Sequence, residues 1–198
     1  MGRWEPDARG RLLRAALELF SARGYEATTA AQIAEHAGLT KTTLFRHFAD
    51  KREILFQGQE LLITLATDGV AGVCPDSTPF DLLRAGVLSL CTPHGTEQRE
   101  IGRQLDALLS SSPELQERAL FKRSTITAAL REALTTRLDD PRQAGVLADV
   151  GIRAYYEGFD SWVRSSDDGP LADVVNRELQ AYEASLITLS DAQPAPFA

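Results

Sequence analysis

From Thr40 to His47 the chain reads Thr-Lys-Thr-Thr-Leu-Phe-Arg-His, a run in which six of eight side chains can donate a hydrogen bond. These groups suit recognition better than reaction. Lys41 and Arg46 can reach phosphate oxygens or guanine edges, and Thr42 and Thr43 can meet a phosphate or a thymine methyl. Hydroxyls near a helix start also lie beside unpaired N–H groups and the positive end of the helix dipole, which favour anions. The bland alternatives are simple capping for the threonines, a solvated surface for the cations and a packed surface ring for His47. No Gly-x-Ser-x-Gly elbow, phosphate loop or dinucleotide glycine fingerprint accompanies the run, so no enzyme is expected. His36, His47 and His94 stand far apart without carboxylates at ligand spacing, so neither a metal nor another cofactor is expected.

The elements that must hold this run are helical. No strand-like alternation persists, and apolar residues recur at helical spacing almost throughout, which predicts an all-α fold of about nine helices. A first helix spans about Asp7 to Arg23 and stops at Gly24. Thr29 and Gln32 have the spacing of a capping box and start a second helix, closed by Gly38. Thr40 caps a third, through about His47, and Leu44 and Phe48 offer it an apolar footing. Two short helices joined by a tight turn make a helix-turn-helix, whose second helix can enter the major groove. A fourth helix is expected from Asp50, with Glu53 completing another capping box, and a loop from Gly69 to Pro79. Further helices are expected over 80–91, 97–111, 114–138, 142–165 and 171–189, several started by prolines.

The ordered set Gly24-Tyr25, Thr28-Thr29, Ile33-Ala34, Ala37-Gly38-Leu39-Thr40-Lys41, Thr43-Leu44-Phe45, His47-Phe48, Lys51 and Leu55 closely resembles the N-terminal domain of TetR-family transcriptional regulators. The resemblance covers about residues 8–57, roughly a quarter of the chain. It implies a homodimer with three helices as reading head, a fourth as lever, and the last two as dimer bundle. It also implies DNA contacts from Thr28 or Thr29, from Thr40, Lys41, Thr42, Thr43, Phe45, Arg46 and His47, and from Lys51. The family commonly has tyrosine where this chain has Phe45, so one phosphate hydrogen bond is expected to be missing.

The expected organisation is a DNA-binding domain over 1–57, a helical effector-binding and dimerisation domain over 58–190, and a disordered tail over 191–198. Val175, Leu179, Tyr182, Leu186 and Leu189 repeat at heptad-like spacing, and Leu147, Gly151, Ala154 and Gly158 form a stripe of mostly small residues on the preceding helix. They suit either core packing or a dimer interface, and a head that reads a palindrome needs a two-fold partner, which favours the interface. Phe121, Tyr155, Tyr156, Phe159 and Trp162 suggest an aromatic effector cavity, with Arg103, Gln104, Thr125 and His94 as polar contacts, although each aromatic also suits a core.

The totals are compatible with this scheme. The 198 residues are 43% hydrophobic and 25% charged, enough to bury a core without staples. The net charge of −7 speaks against DNA binding until it is divided: residues 1–57 carry nine Lys/Arg against seven Asp/Glu, and the remainder twelve against twenty-one. Cys74 and Cys91 make no metal or redox spacing, no apolar signal core follows Met1, and no run is long enough for a membrane span, so a cytoplasmic location is expected. The expected function is a ligand-responsive regulator, most simply a repressor that leaves a palindromic operator when a small molecule binds. The rivals are an activator, a regulator controlled by a protein partner, a helical enzyme, and a purely structural dimer.

Overall fold

The computed structural model describes residues 7–191, and among these residues nine α-helices and no strand occur. They are α1 (Ala8–Arg23), α2 (Ala30–His36), α3 (Lys41–His47), α4 (Gln59–Ala71), α5 (Pro79–Ser89), α6 (Thr96–Ser111), α7 (Pro113–Thr135), α8 (Pro141–Arg164) and α9 (Leu171–Asp191). Most of the expected tail, residues 192–198, lies outside the described residues.

Local chemistry sets most helix starts. Asp7 caps α1 by accepting from the Gly10 amide at 3.0 Å. The Thr29–Gln32 box is made in both directions, at 3.3 Å and 2.9 Å. Prolines open α5, α7 and α8, where a missing N–H is least costly. The turn between α2 and α3 needs Gly38, which sits at φ +66 and whose added Cβ would lie 2.7 Å from the Arg11 guanidinium.

The fourth helix departs from expectation. Residues 51–58 are turns, and α4 begins at Gln59, after Gly58 at φ +86. Asp50 does cap this turn, accepting from the amides of Arg52 and Glu53 at 2.9 and 3.1 Å. Glu53 does not complete the box, because its carboxylate is held by Arg118 at 2.6 and 2.8 Å.

The chain divides into two compact units. Unit 1 comprises residues up to Gln59 together with Glu100–Lys122, and unit 2 comprises Glu60–Arg99 with the residues from Arg123 onward. The divisions fall inside α6 and α7. The physical reason for the second piece is burial: Leu108 and Leu115 lie in the same apolar cluster as Leu12, Phe20, Ile33, Leu44 and Ile54. Unit 2 has its own core, in which Leu83, Leu130, Ala148, Ile152, Val175 and Leu179 bring α5, α7, α8 and α9 together. Arg99 is buried there because the end of α8 needs donors: it donates to the carbonyls of Trp162 and Ser165, each at 2.8 Å.

The stripe on α8 packs inside unit 2. Leu147, Gly151, Ala154 and Gly158 are buried within the chain, as are Val175 and Leu179 on α9. An added Cβ at Gly151 would lie 2.5 Å from Leu83 Cδ1 of α5, and one at Gly158 only 3.0 Å from Val175 Cα of α9. These six residues therefore pack the monomer. Tyr182 and Leu186 are half-buried, and Leu189 is exposed, so only the later part of the expected seam is open to a second copy.

Among the described residues no helix is long and apolar enough to cross a membrane, and no group of His, Cys, Asp and Glu is arranged to hold a metal. Gly158→Leu is expected to destabilise unit 2 by about 1–3 kcal/mol or more, since overpacking must push α9 backbone aside. Urea denaturation followed by Trp162 fluorescence measures this; unchanged stability would show that α8 and α9 part easily.

Candidate nucleic-acid interface

The reading surface is built on α3. Leu44 is fully buried and Phe48 nearly so, which leaves Lys41, Thr42, Phe45 and Arg46 exposed along the other side. Thr40 caps the helix by accepting from the Thr43 amide at 3.0 Å, and the two threonine hydroxyls are 2.9 Å apart. Thr40 keeps its outer side exposed, whereas Thr43 and His47 are half-buried. Phe45 is 46% exposed, with the Lys41 ammonium 5.7 Å from its ring centre.

The residues flanking α3 are less available than the resemblance implies. Thr28 is buried, and its hydroxyl donates to the Gly24 carbonyl at 2.9 Å, so it ties the α1–α2 turn and cannot meet a phosphate in place. Thr29 is the exposed member of the pair and carries the cap of α2. The Lys51 ammonium donates to the carbonyls of Tyr25 and Thr28, at 2.7 and 3.0 Å, and lies 4.0 Å from the centre of the Tyr25 ring. Two of its three N–H groups are thus engaged, and it does not open a helix as expected.

Other supports were not expected from the sequence. Arg11 donates to the Ala37 carbonyl beside the Gly38 turn. Arg9 lies 5.0 Å over the ring of Phe48, and the Tyr25 hydroxyl donates to Glu114 at 2.9 Å. Burial and the Glu114 carboxylate both push the Tyr25 hydroxyl pKa up, keeping it a proton donor at every physiological pH. The partners lie up to 89 residues apart in sequence, and no local signal announces them.

The residues expected around an effector are divided between the units. In unit 2 the Tyr155 hydroxyl lies 3.2 Å from His94 Nε2, Phe159 packs edge-on to His94 and tilts against Trp162, and Arg123 sits 4.9 Å over the Tyr156 ring. Tyr155 is buried, which raises its pKa well above the ordinary phenol value, and Thr125 is half-buried. In unit 1, Arg103 and Gln104 both bond Glu100 at 3.2 Å and line an open hollow with Phe20, Ser21 and Ala107. Phe121 is exposed, beside the Arg118 guanidinium.

Residues 12–57 match the family of bacterial regulatory proteins, tetR family. Over 46 residues the chain is 56% identical to the HTH-type transcriptional regulator TcmR of Streptomyces glaucescens, covering 23% of this chain and 20% of that protein. The matched stretch therefore spans only a fifth of that relative's length. A weaker likeness, 22% identity over 181 residues, covers 91% of this chain and 93% of the HTH-type transcriptional repressor AcnR of Corynebacterium efficiens. Among solved structures, FadR of Thermus thermophilus, a TetR-family repressor in complex with lauroyl-CoA, has a TM-score of 0.56 at 24% identity, over 96% of this chain and 98% of that one. That likeness is one of fold.

Lys51→Ala is expected to lower the stability of unit 1 by about 1–3 kcal/mol, because it strips a charged donor from two turn carbonyls. Lys41→Ala should cost nothing measurable. Guanidinium titrations of both variants check this, and equal stability of the two would return Lys51 to the role of a solvated surface cation.

Proposed function

We propose that this chain, whose residues 12–57 match the tetR family of bacterial regulatory proteins, is a transcriptional regulator of that family that reads DNA with α3 and answers to a small effector. The observation that carries the reading is the sidedness of α3: Leu44 is wholly buried while Lys41, Thr42, Phe45 and Arg46 face solvent together. A helix docked by so small an apolar foot has nearly its whole polar side free for a major groove. Exposed Lys41 and Arg46 serve phosphates or guanine, Thr42 a base edge, Phe45 the backbone, and Thr29 and Thr40 phosphate near helix starts.

A single α3 covers only half of a two-fold site, so the regulator acts as a homodimer on a palindromic operator. Val146, Ile187 and Leu189 are exposed on α8 and α9, and they, with Tyr182 and Leu186, are the surface we assign to the second copy. The effector site is assigned to the aromatic group of unit 2, Tyr155, Tyr156, Phe159 and Trp162 with His94, where a ring system and a hydroxyl–imidazole pair lie together. Release follows if the effector binds the DNA-incompetent arrangement more tightly, and by linkage DNA weakens effector binding by the same factor. The full-length likeness to a repressor favours repression over activation. Such a protein works in the cytoplasm.

The test is retention of genomic fragments by the purified full-length chain, followed by sequencing. A two-fold symmetric consensus is expected, with affinity falling steeply as salt rises. Lys41→Ala should reduce the salt slope by about one and weaken all sequences alike, whereas Thr42→Ala should shift base preference at one position by about 1–3 kcal/mol. Phe45→Tyr, which adds a phosphate-seeking hydroxyl, should tighten binding to every sequence. Absence of enriched fragments at low salt would defeat the reading.

A further inference from the structure

Two side chains on one face of α7, Glu114 and Arg118, grip the helix-turn-helix from both of its ends. At the entry, Glu114 Oε1 accepts from the Tyr25 hydroxyl at 2.9 Å, and Arg52 Nη1 approaches the same oxygen at 3.6 Å. The Tyr25 ring in turn carries Lys51, whose bonds to the Tyr25 and Thr28 carbonyls fix the chain just before the cap of α2. At the exit, Arg118 makes a two-toothed pair with Glu53, at 2.6 and 2.8 Å, and a third bond to Gln59 at 3.2 Å. Its guanidinium also lies 5.3 Å over the Phe56 ring. Between the two grips Leu115 is fully buried in the core that holds Leu12 and Leu44.

We propose that Glu114 and Arg118 are positioning residues for DNA recognition, so that the DNA-reading unit is discontinuous and includes the start of α7. The proposal rests on the DNA-binding reading above. Planar guanidinium–carboxylate pairing is directional, and here it is partly withdrawn from water: the Arg118 side chain is only 13% exposed. Removing Arg118 leaves the half-buried Glu53 carboxylate with Arg52 at 3.9 Å in place of a two-toothed pair, and frees the turn that follows α3. If the docked state of α3 then makes up a tenth of the population, apparent affinity falls about tenfold. Neither residue touches DNA in this scheme. Arg118 is already neutralised by Glu53, so its loss leaves the number of released counterions unchanged.

The experiment uses the full-length protein, the genomic fragment that wild type enriches most, and amide hydrogen exchange. R118Q is expected to bind that fragment about tenfold more weakly, with the wild-type base preference and salt slope, and E114Q several-fold more weakly. The charge-swapped E53R/R118E should recover most of the loss, and Arg131→Gln, at an exposed site further along α7, should change nothing. In R118Q the amides of α1, α2 and α3 should exchange faster together with those of residues 113–122, while α8 keeps its protection. Wild-type affinity in folded R118Q and E114Q, or exchange that quickens equally in α8, would overturn the positioning role. A smaller salt slope in R118Q would overturn it too, marking Arg118 as a phosphate contact. Failure of wild type to retain any DNA would defeat the DNA-binding reading and the positioning role with it, and the exchange pattern would then still decide whether α7 shares the unit.

Discussion

A helix of seven residues cannot hold itself together in water, and the reading helix α3 has only seven. Isolated helices below about 12–15 residues are marginal because the first turn costs more order than one hydrogen bond returns. The helix therefore exists through its docking. Leu44 supplies the foot, Phe48 seals the end, and the Thr40 cap satisfies a donor that would otherwise be orphaned. This dependence also decides what the surface can be. With so few positions spent on the core, the rest of α3 is free to be polar, but its direction is then set entirely by what lies beneath it.

What lies beneath is more than the first sixty residues. A domain of that size buries a smaller fraction of its surface than a larger one does and is correspondingly marginal. Unit 1 answers by drawing Leu108 and Leu115 from α6 and α7 into its core. Once those helices are there, their polar groups meet the head as well, and they meet it as partners of opposite kind: Glu114 with a phenol and an arginine, Arg118 with a carboxylate. The Arg118 bond holds the Glu53 carboxyl below its ordinary pKa, and Glu53 in turn raises that of Arg118. Each stabilises the charged form of the other.

Local features were legible in the sequence because their causes are local. The Thr29–Gln32 box, the Thr40 cap and the proline starts each lie within four residues of what they govern. Where a local signal had a distant competitor, it misled. Glu53 has the spacing of a capping box, but Arg118 offers two charged hydrogen bonds against one amide, and the helix starts only after Gly58. Thr28 and Thr29 look equivalent in sequence; one faces the core and the other solvent. Gly151 and Gly158 announced a close helix crossing and could not say with which helix. The structure gives α5 and α9 of the same chain. The effector set fared similarly, since aromatic residues on α8 gather by spacing alone, while Arg103, Gln104 and Phe121 fall in the other unit.

Charge is where counting and structure part most clearly. The +2 balance of the first 57 residues looks too slight to attract DNA. Attraction, however, depends on which cations remain uncommitted. Arg14 pairs with Asp7, Arg52 with Asp50 and Glu114, Arg118 with Glu53, and Lys51 serves two carbonyls. Lys41 and Arg46 have no carboxylate partner among the described residues, and the Lys41 ammonium lies over the face of Phe45. An ion pair formed within the protein has already given up its counterions and has little to offer a phosphate, whereas an unpaired exposed cation keeps the whole gain of release. The acidic residues of unit 1 thus fix several of its cations as structure, while Lys41 and Arg46 stand on the exposed side of α3 with their charge unspent.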